Sequence, residues 1–301
     1  MNPNNSKLPN TFLIGAAKSG TSSLAFMLKQ HPQIFLPSNK EPHFFSDDKR
    51  YSKGIEWYLD SFFSGSESFG IRLDASNAYL VWSEKTVKRL LKIYEKPEKL
   101  KFIALLRDPV ARAFSHFWMA KRLGREPLDF EEAIRQESAR LELHDEEFRL
   151  SGEQKFGYFK GGAYATNVSP FLQAFSRDQF RFLIFDDFKK NSIASVNNVF
   201  EFLEIEKFKV EPLHKNPASL PRSRIMYDYM KKKDAGTKNF IKRLFPLKMQ
   251  KKLKEMIMKL VLRPIKKSAI PQQVENELRS RFAPEIRKLE KILDRDLSDW
   301  Y

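Results

Sequence analysis

Two features that the sequence lacks narrow the possible functions. None of its 301 residues is cysteine, which excludes a disulfide framework, a thiolate zinc site and a cysteine nucleophile. The chain also has no run of about 18 apolar residues, and residues 1–10 lack the apolar core of a signal peptide. We therefore expect a protein of a reducing compartment, the cytoplasm, without a membrane span.

The composition is that of a globular protein with an uneven charge. Hydrophobic residues make up 42% of the chain and charged residues 31%, and the apolar residues recur in periodic blocks. The net charge is +16, and residues 231–267 hold 14 Lys or Arg against 2 acids. We expect a single domain over residues 1–301, in which residues 225–301 form a helical, basic C-terminal subregion.

Short β-prone runs alternate with helical patterns, which predicts an α/β fold with a parallel sheet flanked by helices. The predicted strands are Thr11–Gly15, Gly70–Leu73, Lys101–Leu106 and Phe180–Phe185. The clearest predicted helices are Ala17–Gln30, Asp108–Arg122 and Phe282–Leu293, with Asp108 as N-cap and Pro109 at the first helical position. A Pro-rich stretch, Glu211–Arg224, reads as an ordered loop that leaves the α/β core.

The first predicted strand leads into a loop suited to an anion. Gly15 and Gly20 have the spacing of a nucleotide-binding loop, and the helix that follows offers backbone N–H groups and a positive dipole end. Gly20 is followed by Thr21, and the lysine, Lys18, lies two residues before Gly20, so this is not a Walker A sequence. Lys18 can reach the bridging oxygen of a single phosphosulfate and offset the charge of its leaving group without a metal. An ordinary strand-to-helix turn with a solvated lysine explains the same loop equally well when it is taken alone.

The third predicted strand ends in a second group of anion-binding residues. Arg107 stands at the carboxyl end of the strand, and Ser115 follows about two helical turns later. A guanidinium and a hydroxyl can bind a second, separate phosphate. An Arg107–Asp108 pair with a purely structural role explains the same residues when they are taken alone.

Five segments taken together resemble PAPS-dependent sulfotransferases, where PAPS is 3′-phosphoadenosine 5′-phosphosulfate. The likeness is greatest to heparan-sulfate-type and related bacterial glycan enzymes, and it covers nearly the whole chain. The segments are KSGTSSL at Lys18–Leu24, NKEPHFF at Asn39–Phe45, LLRDPVARAFSHF at Leu105–Phe117, the run at Gly161–Phe188 and LEKILDRDLSDWY at Leu289–Tyr301.

This resemblance implies roles for individual residues. It implies that the 5′-phosphosulfate is held by Lys18, Ser19, Gly20, Thr21 and Ser22. It assigns the 3′-phosphate to Arg107 and Ser115, with further contacts from Arg222, Ser223 and Arg224. The product is adenosine 3′,5′-bisphosphate, and no metal takes part.

The resemblance also implies that Glu41 is the general base, with Lys18 as the second catalytic residue. A carboxylate within hydrogen-bond reach can take the proton of an attacking alcohol. His43 is the alternative base, although a lone histidine beside aromatic residues is more often structural. Asp74, Ser76 and Tyr164 are further candidates for acceptor contacts, and strand-end or core roles explain them equally well.

One position departs from the family pattern. Glycan sulfotransferases often carry a lysine after the second strand, where this chain has Ala75. Ala75 cannot supply that charge. Either Lys18 acts with another cation, or the acceptor differs from the heparan type.

The acceptor and the basic segment remain open at this stage. We expect a carbohydrate hydroxyl as the acceptor, with a lipid or small-molecule alcohol as the alternative. A phosphate-loop NTPase or kinase and a non-catalytic polyanion-binding protein are the competing classes. Residues 231–267 form a solvated face, an anionic-glycan docking surface or a peripheral contact with acidic membrane, and we expect no nucleic-acid partner.

Overall fold

The computed structural model describes residues 6–38, 41–142, 156–212, 219–221, 262–264 and 269–301. The chain divides into two compact units. One comprises Met1–Phe117, Leu128–Leu213 and Ile270–Tyr301, and the other comprises Trp118–Pro127 and His214–Ala269.

A parallel five-stranded sheet organises the first unit and confirms the predicted fold class. Its strands pair in the order β2-β3-β1-β4-β5. Their bounds are β1 Thr11–Gly15, β2 Ile34–Phe35, β3 Ile71–Asp74, β4 Lys101–Leu106 and β5 Phe180–Ile184. The predicted β1 and β4 have the observed bounds, β3 and β5 differ by one residue at an end or at both, and β2 was not predicted.

Helices follow the strands and cover the sheet. Their bounds are α1 Thr21–Leu28, α2 Asp48–Tyr51, α3 Gly54–Phe62, α4 Ser83–Ile93, α5 Pro109–Arg122, α6 Phe130–Arg135, α7 Glu137–Glu142, α8 Tyr164–Ala174, α9 Phe185–Lys190, α10 Ser192–Phe202 and α11 Gln272–Leu293. Short 3₁₀ turns occupy Pro97–Lys99, Lys160–Gly162, Arg177–Gln179 and Ser298–Trp300. None of the helices described here is long and apolar enough to cross a membrane.

The central strand β1 is buried along its whole length because both faces of the sheet are covered. On one face Phe12 stacks on Phe102, with ring centroids 5.8 Å apart. On the other face Leu13 joins a cluster that includes Ile103 and Phe200. Each of these fully buried side chains contributes about 1.5–3 kcal/mol to folding, so the sheet rigidly supports the loops at its edge.

Two predicted helix starts were wrong. Helix α1 begins at Thr21 and not at Ala17, because Lys18 and Gly20 adopt positive φ angles of 72° and 96° and form a loop instead. Helix α11 begins at Gln272, ten residues before Phe282. The predicted start of α5 is confirmed, and Asp108 Oδ1 accepts a 2.9 Å hydrogen bond from Ala111 N.

In the second unit, β6 (Ser219–Pro221) pairs antiparallel with β7 (Leu262–Pro264). The prediction of a loop over Glu211–Arg224 is therefore wrong at Ser219–Pro221, where backbone pairing makes a strand. The basic segment 231–267 lies outside the described residues except for Leu262–Pro264, which form a strand where the sequence predicted helical structure.

Candidate active site

The strand order creates a crevice between β1 and β4. From β1 the order runs to β3 and β2 on one side and to β4 and β5 on the other. Open parallel sheets bind ligands at the carboxyl ends of the strands where the order reverses in this way. The loops after Gly15 and Leu106 flank this point.

The loop between β1 and α1 has a conformation that only a glycine at position 20 fits. Gly20 has a φ of 96°, and a Cβ atom there would lie 3.0 Å from Cε2 of the Phe185 ring. The Ser19 hydroxyl is buried next to the Tyr164 hydroxyl, and no hydrogen bond of normal geometry joins it to a described residue. The backbone N–H groups at the very start of α1 have no acceptor within the helix, so the loop presents donors to an anion.

Arg107 connects β4 to this loop. Its Nη1 donates a hydrogen bond of 3.3 Å to Lys18 O, and its guanidinium carbon lies 4.8 Å from the centroid of the Phe185 ring. The Tyr164 hydroxyl donates a 2.8 Å hydrogen bond to Arg107 O. Burial raises the pKa of Tyr164, which keeps the phenol protonated as a donor. The lysine loop and Arg107 thus form one cationic site.

A second group of residues surrounds Glu41. Asn77 Nδ2 donates a 2.8 Å hydrogen bond to Glu41 Oε1, and His43 Nε2 lies 3.3 Å from Glu41 Oε2. Arg50 Nη1 donates to the carbonyl oxygens of Glu41 and Pro42. Side-chain exposure is 36% for Glu41 and 15% for His43, so the carboxylate is oriented by the protein and still reachable.

Asp74 supports this group from the core. It is fully buried; Oδ2 accepts hydrogen bonds from the Tyr58 and Tyr79 hydroxyls at 2.6 and 2.7 Å, and Oδ1 accepts one from Ser76 at 2.6 Å. Ser76 Oγ in turn accepts from His43 N at 2.9 Å. Burial raises the pKa of Asp74, and the three hydroxyl donors and His43 oppose the rise. The buried carboxyl therefore fixes the backbone next to Glu41.

Gly15 brings the two groups close together. A Cβ atom at Gly15 would lie 2.8 Å from Cβ of Leu80 and 3.2 Å from the carbonyl oxygen of Asn77. The turn that holds Asn77 can therefore pack directly on the end of β1, where Leu80 N donates to Ile14 O at 2.9 Å. The Glu41 group and the anion loop occupy the same edge of the sheet.

The predicted residues fall into these groups with some exceptions. Ser115 lies partly buried in α5, and no hydrogen bond joins it to Arg107 within the described residues. Tyr164 is buried and bonded to the Arg107 carbonyl. Asp74 and Ser76 are buried and hydrogen-bonded to each other. This arrangement leaves neither side chain facing an acceptor, so their contact with one stays a prediction. Arg222, Ser223 and Arg224 lie outside the described residues.

The sequence interpretation missed several supporting residues. Asn77 belongs to the DASNAY segment after β3, but its role depends on the packing of the turn on Gly15. Arg112 is 1% exposed, and its Nη2 donates to the carbonyls of Gly157 and Tyr158 at 3.0 and 2.6 Å. Its position among the apolar residues of α5 was the available signal.

Glu137 holds the same loop from the other side. Its carboxylate accepts from Phe159 N at 2.6 Å and from Lys160 N at 2.9 Å, and burial raises its pKa. Together with Arg112 it positions the segment that leads into Tyr164. Arg107 is thus supported indirectly by two buried ionisable residues.

A family model described as a sulfotransferase domain matches residues 8–261. The chain belongs to the sulfotransferase domain family. This confirms the predicted resemblance and places the chain in a family of transferases. A solved sulfotransferase from Alicyclobacillus acidocaldarius is 27% identical with a TM-score of 0.69, and the match covers 97% of this chain and 98% of that one.

Curated relatives of this sulfotransferase-family chain include heparan sulfate enzymes. Heparan sulfate glucosamine 3-O-sulfotransferase 5 of Mus musculus is 36% identical over 112 residues, 37% of this chain and 30% of that protein. Heparan sulfate glucosamine 3-O-sulfotransferase 3A1 of Mus musculus is 27% identical over 202 residues, 67% of this chain and 47% of that protein. The chain thus spans less than half the length of these relatives.

Proposed function

We propose that this chain transfers a sulfuryl group from PAPS to a hydroxyl group of a carbohydrate. The observation that carries the proposal is the hydrogen bond from Arg107 Nη1 to Lys18 O. It joins the Arg107 side chain, which follows β4, to the backbone of the Lys18 loop, which follows β1, at the place where parallel sheets bind ligands. A donor with two separate phosphate groups needs two such positions.

The residues at this edge fit such a donor. Gly20 leaves no room for a side chain, the Ser19 hydroxyl is buried beside the Tyr164 hydroxyl with no bond of normal geometry to a described residue, and Lys18 and Arg107 supply positive charge. Lys18, Ser19, Gly20, Thr21 and Ser22 would hold the 5′ end, and Arg107 with Ser115 the 3′-phosphate. PAPS, when bound, supplies the sulfuryl group and leaves as adenosine 3′,5′-bisphosphate.

The remaining chemistry belongs to the side chains of this chain. Glu41 takes the proton of the acceptor hydroxyl as its oxygen attacks, because the carboxylate is exposed and is held by Asn77 and His43. Lys18 and the N-terminus of α1 stabilise the negative charge that develops on the departing phosphate. Transfer by this arrangement uses no divalent metal.

A carbohydrate is the acceptor class that the relatives favour, because those reported above are named as heparan sulfate sulfotransferases. Ala75 is buried, 8% exposed, and brings no charge to the Glu41 side. The residues that bind the acceptor therefore differ from those of glycan sulfotransferases that carry a lysine at this position. Arg50, bonded to the Glu41 and Pro42 carbonyls, brings a cation next to the segment that carries the base.

Incubation of the protein with ³⁵S-labelled PAPS and size-fractionated glycans tests the proposal. We expect label in a glycan fraction, and its release by a sulfatase identifies the new sulfate ester. Glu41→Gln is the matched negative control because it keeps the shape of the side chain. Label that appears only in lipid or small-alcohol fractions would contradict the carbohydrate assignment, and no label in any fraction would contradict the activity.

A further inference from the structure

A cleft of about 310 Å³ lies along β5, the edge strand of the sheet, and reaches the C-terminal end of α11. None of the residues that the proposed transfer reaction uses lines it. The cleft is therefore a separate feature of the first unit.

The lining of the cleft is strongly cationic. Arg177, Arg181 and Arg295 face it together with Asp294, so its ionisable side chains have a net charge of +2. Arg295 is paired with Asp187 at 2.6 Å. Within the described residues, no carboxylate lies within salt-bridge distance of Arg177 or Arg181, which leaves two guanidinium groups without a counter-charge.

These two guanidinium groups are held in place by aromatic rings. The Arg177 guanidinium lies 4.9 Å from the Phe182 ring centroid, and that of Arg181 lies 5.3 Å from the ring of Phe202. Arg177 Nη1 donates to Phe180 O at 3.2 Å, whereas the buried Nε of Arg181 has no acceptor among the described residues. A stacked guanidinium keeps N–H groups at its edge for a ligand.

The two arginines also oppose each other. Burial lowers the pKa of Arg177, and the positive charge of Arg181 lowers it further. An anion placed between them relieves this repulsion and satisfies the remaining donors. The site is thus suited to a sulfate or carboxylate group.

Strand β5 connects this cleft to the transfer site. Ile184 lines the cleft, and the ring of the next residue, Phe185, lies against both Arg107 and Gly20. When a saccharide chain is the acceptor and its reacting hydroxyl lies near Glu41, the rest of the chain can extend along this edge. A small alcohol has no second, anionic group to place in the cleft.

We propose that the cleft formed by Arg177, Arg181 and Arg295 binds a sulfate or carboxylate group of an anionic saccharide chain, away from the hydroxyl that is modified. The saccharide part of this inference rests on the proposed function. The cleft anchors the glycan and favours acceptors that already carry negative charge.

Arg177→Gln/Arg181→Gln tests the assignment, with Arg135→Gln/Arg287→Gln as a control of equal charge. Arg135 is an exposed helix residue and Arg287 is exposed on α11, and thermal unfolding of both variants checks that they fold. Calorimetry measures binding of a heparin-derived hexasaccharide, its desulfated form and inorganic sulfate. Hydrogen exchange followed by mass spectrometry locates protection in peptides that cover residues 177–184 and 293–296.

We expect the hexasaccharide to bind the Arg177→Gln/Arg181→Gln variant about tenfold or more weakly, the effect of losing charge-assisted hydrogen bonds. The control should bind within about twofold of the parent, since exposed charges contribute little. Protection of the two peptides should appear in the parent and be absent in the cleft variant. Retained binding of the desulfated form assigns the anion to a carboxylate, and its loss assigns it to a sulfate.

Unchanged affinity of the cleft variant, protection confined to other peptides, or equal protection by inorganic sulfate would each overturn the inference. Binding of adenosine 3′,5′-bisphosphate and transfer of labelled sulfate are measured on the same proteins. Sulfate transfer without hydrogen-exchange protection of the cleft peptides would contradict this inference and leave the proposed function standing. Protection of the cleft peptides without sulfate transfer would contradict the proposed function and leave an anion-binding cleft.

Discussion

Asn77 Nδ2 donates a 2.8 Å hydrogen bond to Glu41 Oε1, so a residue that follows β3 orients a carboxylate that follows β2. The amide is brought there by the close approach of its turn to Gly15. The proposed base is therefore held by tertiary packing against the same strand that leads into the anion loop.

Replacement of Glu41 by Gln should slow transfer with little effect on nucleotide binding. Removal of a general base costs about 10²–10⁴-fold in rate, and the carboxylate faces the acceptor rather than either phosphate of the donor. Single-turnover assays with labelled PAPS measure the rate, and calorimetry with adenosine 3′,5′-bisphosphate measures affinity, which should stay within a few-fold of the parent. Near-parental turnover would show that another residue is the base, and His43 would be the first to test.

Arg107→Ala should weaken binding of adenosine 3′,5′-bisphosphate by about 1.5–3 kcal/mol, the scale of a hydrogen bond to a charged group. Binding of adenosine 5′-phosphate should change much less, because it lacks the 3′ group. Tyr164→Phe is the matched control, since it keeps the Arg107 charge and removes the hydroxyl that donates the 2.8 Å bond to the Arg107 carbonyl and lies beside Ser19. It should weaken nucleotide binding by only about 0.5–1.5 kcal/mol. Equal losses for both nucleotides would contradict the 3′-phosphate assignment.

A comparison of Gly20→Ala with Gly54→Ala separates the effect of backbone strain from that of a steric clash with Phe185. Both glycines have positive φ angles, 96° and 85°, but an added Cβ meets Phe185 at position 20 and no atom within 4 Å at position 54. Both variants should lose about 1 kcal/mol of stability from strain, measured by urea denaturation. Only Gly20→Ala should bind adenosine 3′,5′-bisphosphate at least about tenfold more weakly, since Phe185 supports Arg107. The same nucleotide affinity in both variants would refute this coupling.

Asp74→Ala should destabilise the protein by at least about 3 kcal/mol, because it leaves the hydroxyls of Tyr58, Tyr79 and Ser76 without their acceptor in the core. Asp60→Ala, at an exposed carboxylate, is the control. Urea denaturation measures both. If Asp74→Ala lowers the free energy of unfolding no more than Asp60→Ala does, Asp74 does not stabilise the core through these three hydrogen bonds.

The pH dependence of stability should also depend on Asp74. Its pKa is raised in the folded state, so the folded protein binds the proton more tightly than the unfolded chain. The free energy of unfolding should therefore fall as pH rises from about 4 toward the raised pKa. Glu137 contributes with the same sign, so the comparison of the parent with Asp74→Asn isolates Asp74. Parallel pH profiles for the two proteins would contradict the raised pKa.

Transfer should continue at an unchanged rate in EDTA, because Lys18 and the α1 N-terminus supply the positive charge that a metal otherwise provides. The rate is measured with labelled PAPS after extensive dialysis against the chelator. Loss of activity that magnesium restores would show that a metal takes part.

Much of the sheet could be predicted from the sequence because it depends on local pattern. The bounds of β1 and β4 follow from short, mostly apolar runs that are buried except at Lys101, and Asp108 with Pro109 marks the start of α5. The two-residue strand β2 is too short to produce a pattern. Helix α11 was predicted too short, although Val274, Leu278 and Phe282 recur at four-residue spacing and are all buried.

The candidate site was predictable only in part. Lys18, Glu41 and Arg107 were identified through ordered motifs, whereas the support of Glu41 depends on contacts between distant segments. The hub at Asp74 joins Tyr58, 16 residues earlier, with Tyr79, 5 residues later. No periodicity places those three side chains together, because their contact depends on how α3 packs against the end of β3.

The strand order also divides the carboxyl edge of the sheet into two modules. Residues proposed to hold the donor follow β1 and β4, whereas Glu41, His43 and Asn77 follow β2 and β3. Loops around an edge strand of two residues tolerate insertion without disturbing the pairing of the central strands. Diversification can therefore proceed by changes in the loops that follow β2 and β3, with the strands and the proposed donor half kept intact.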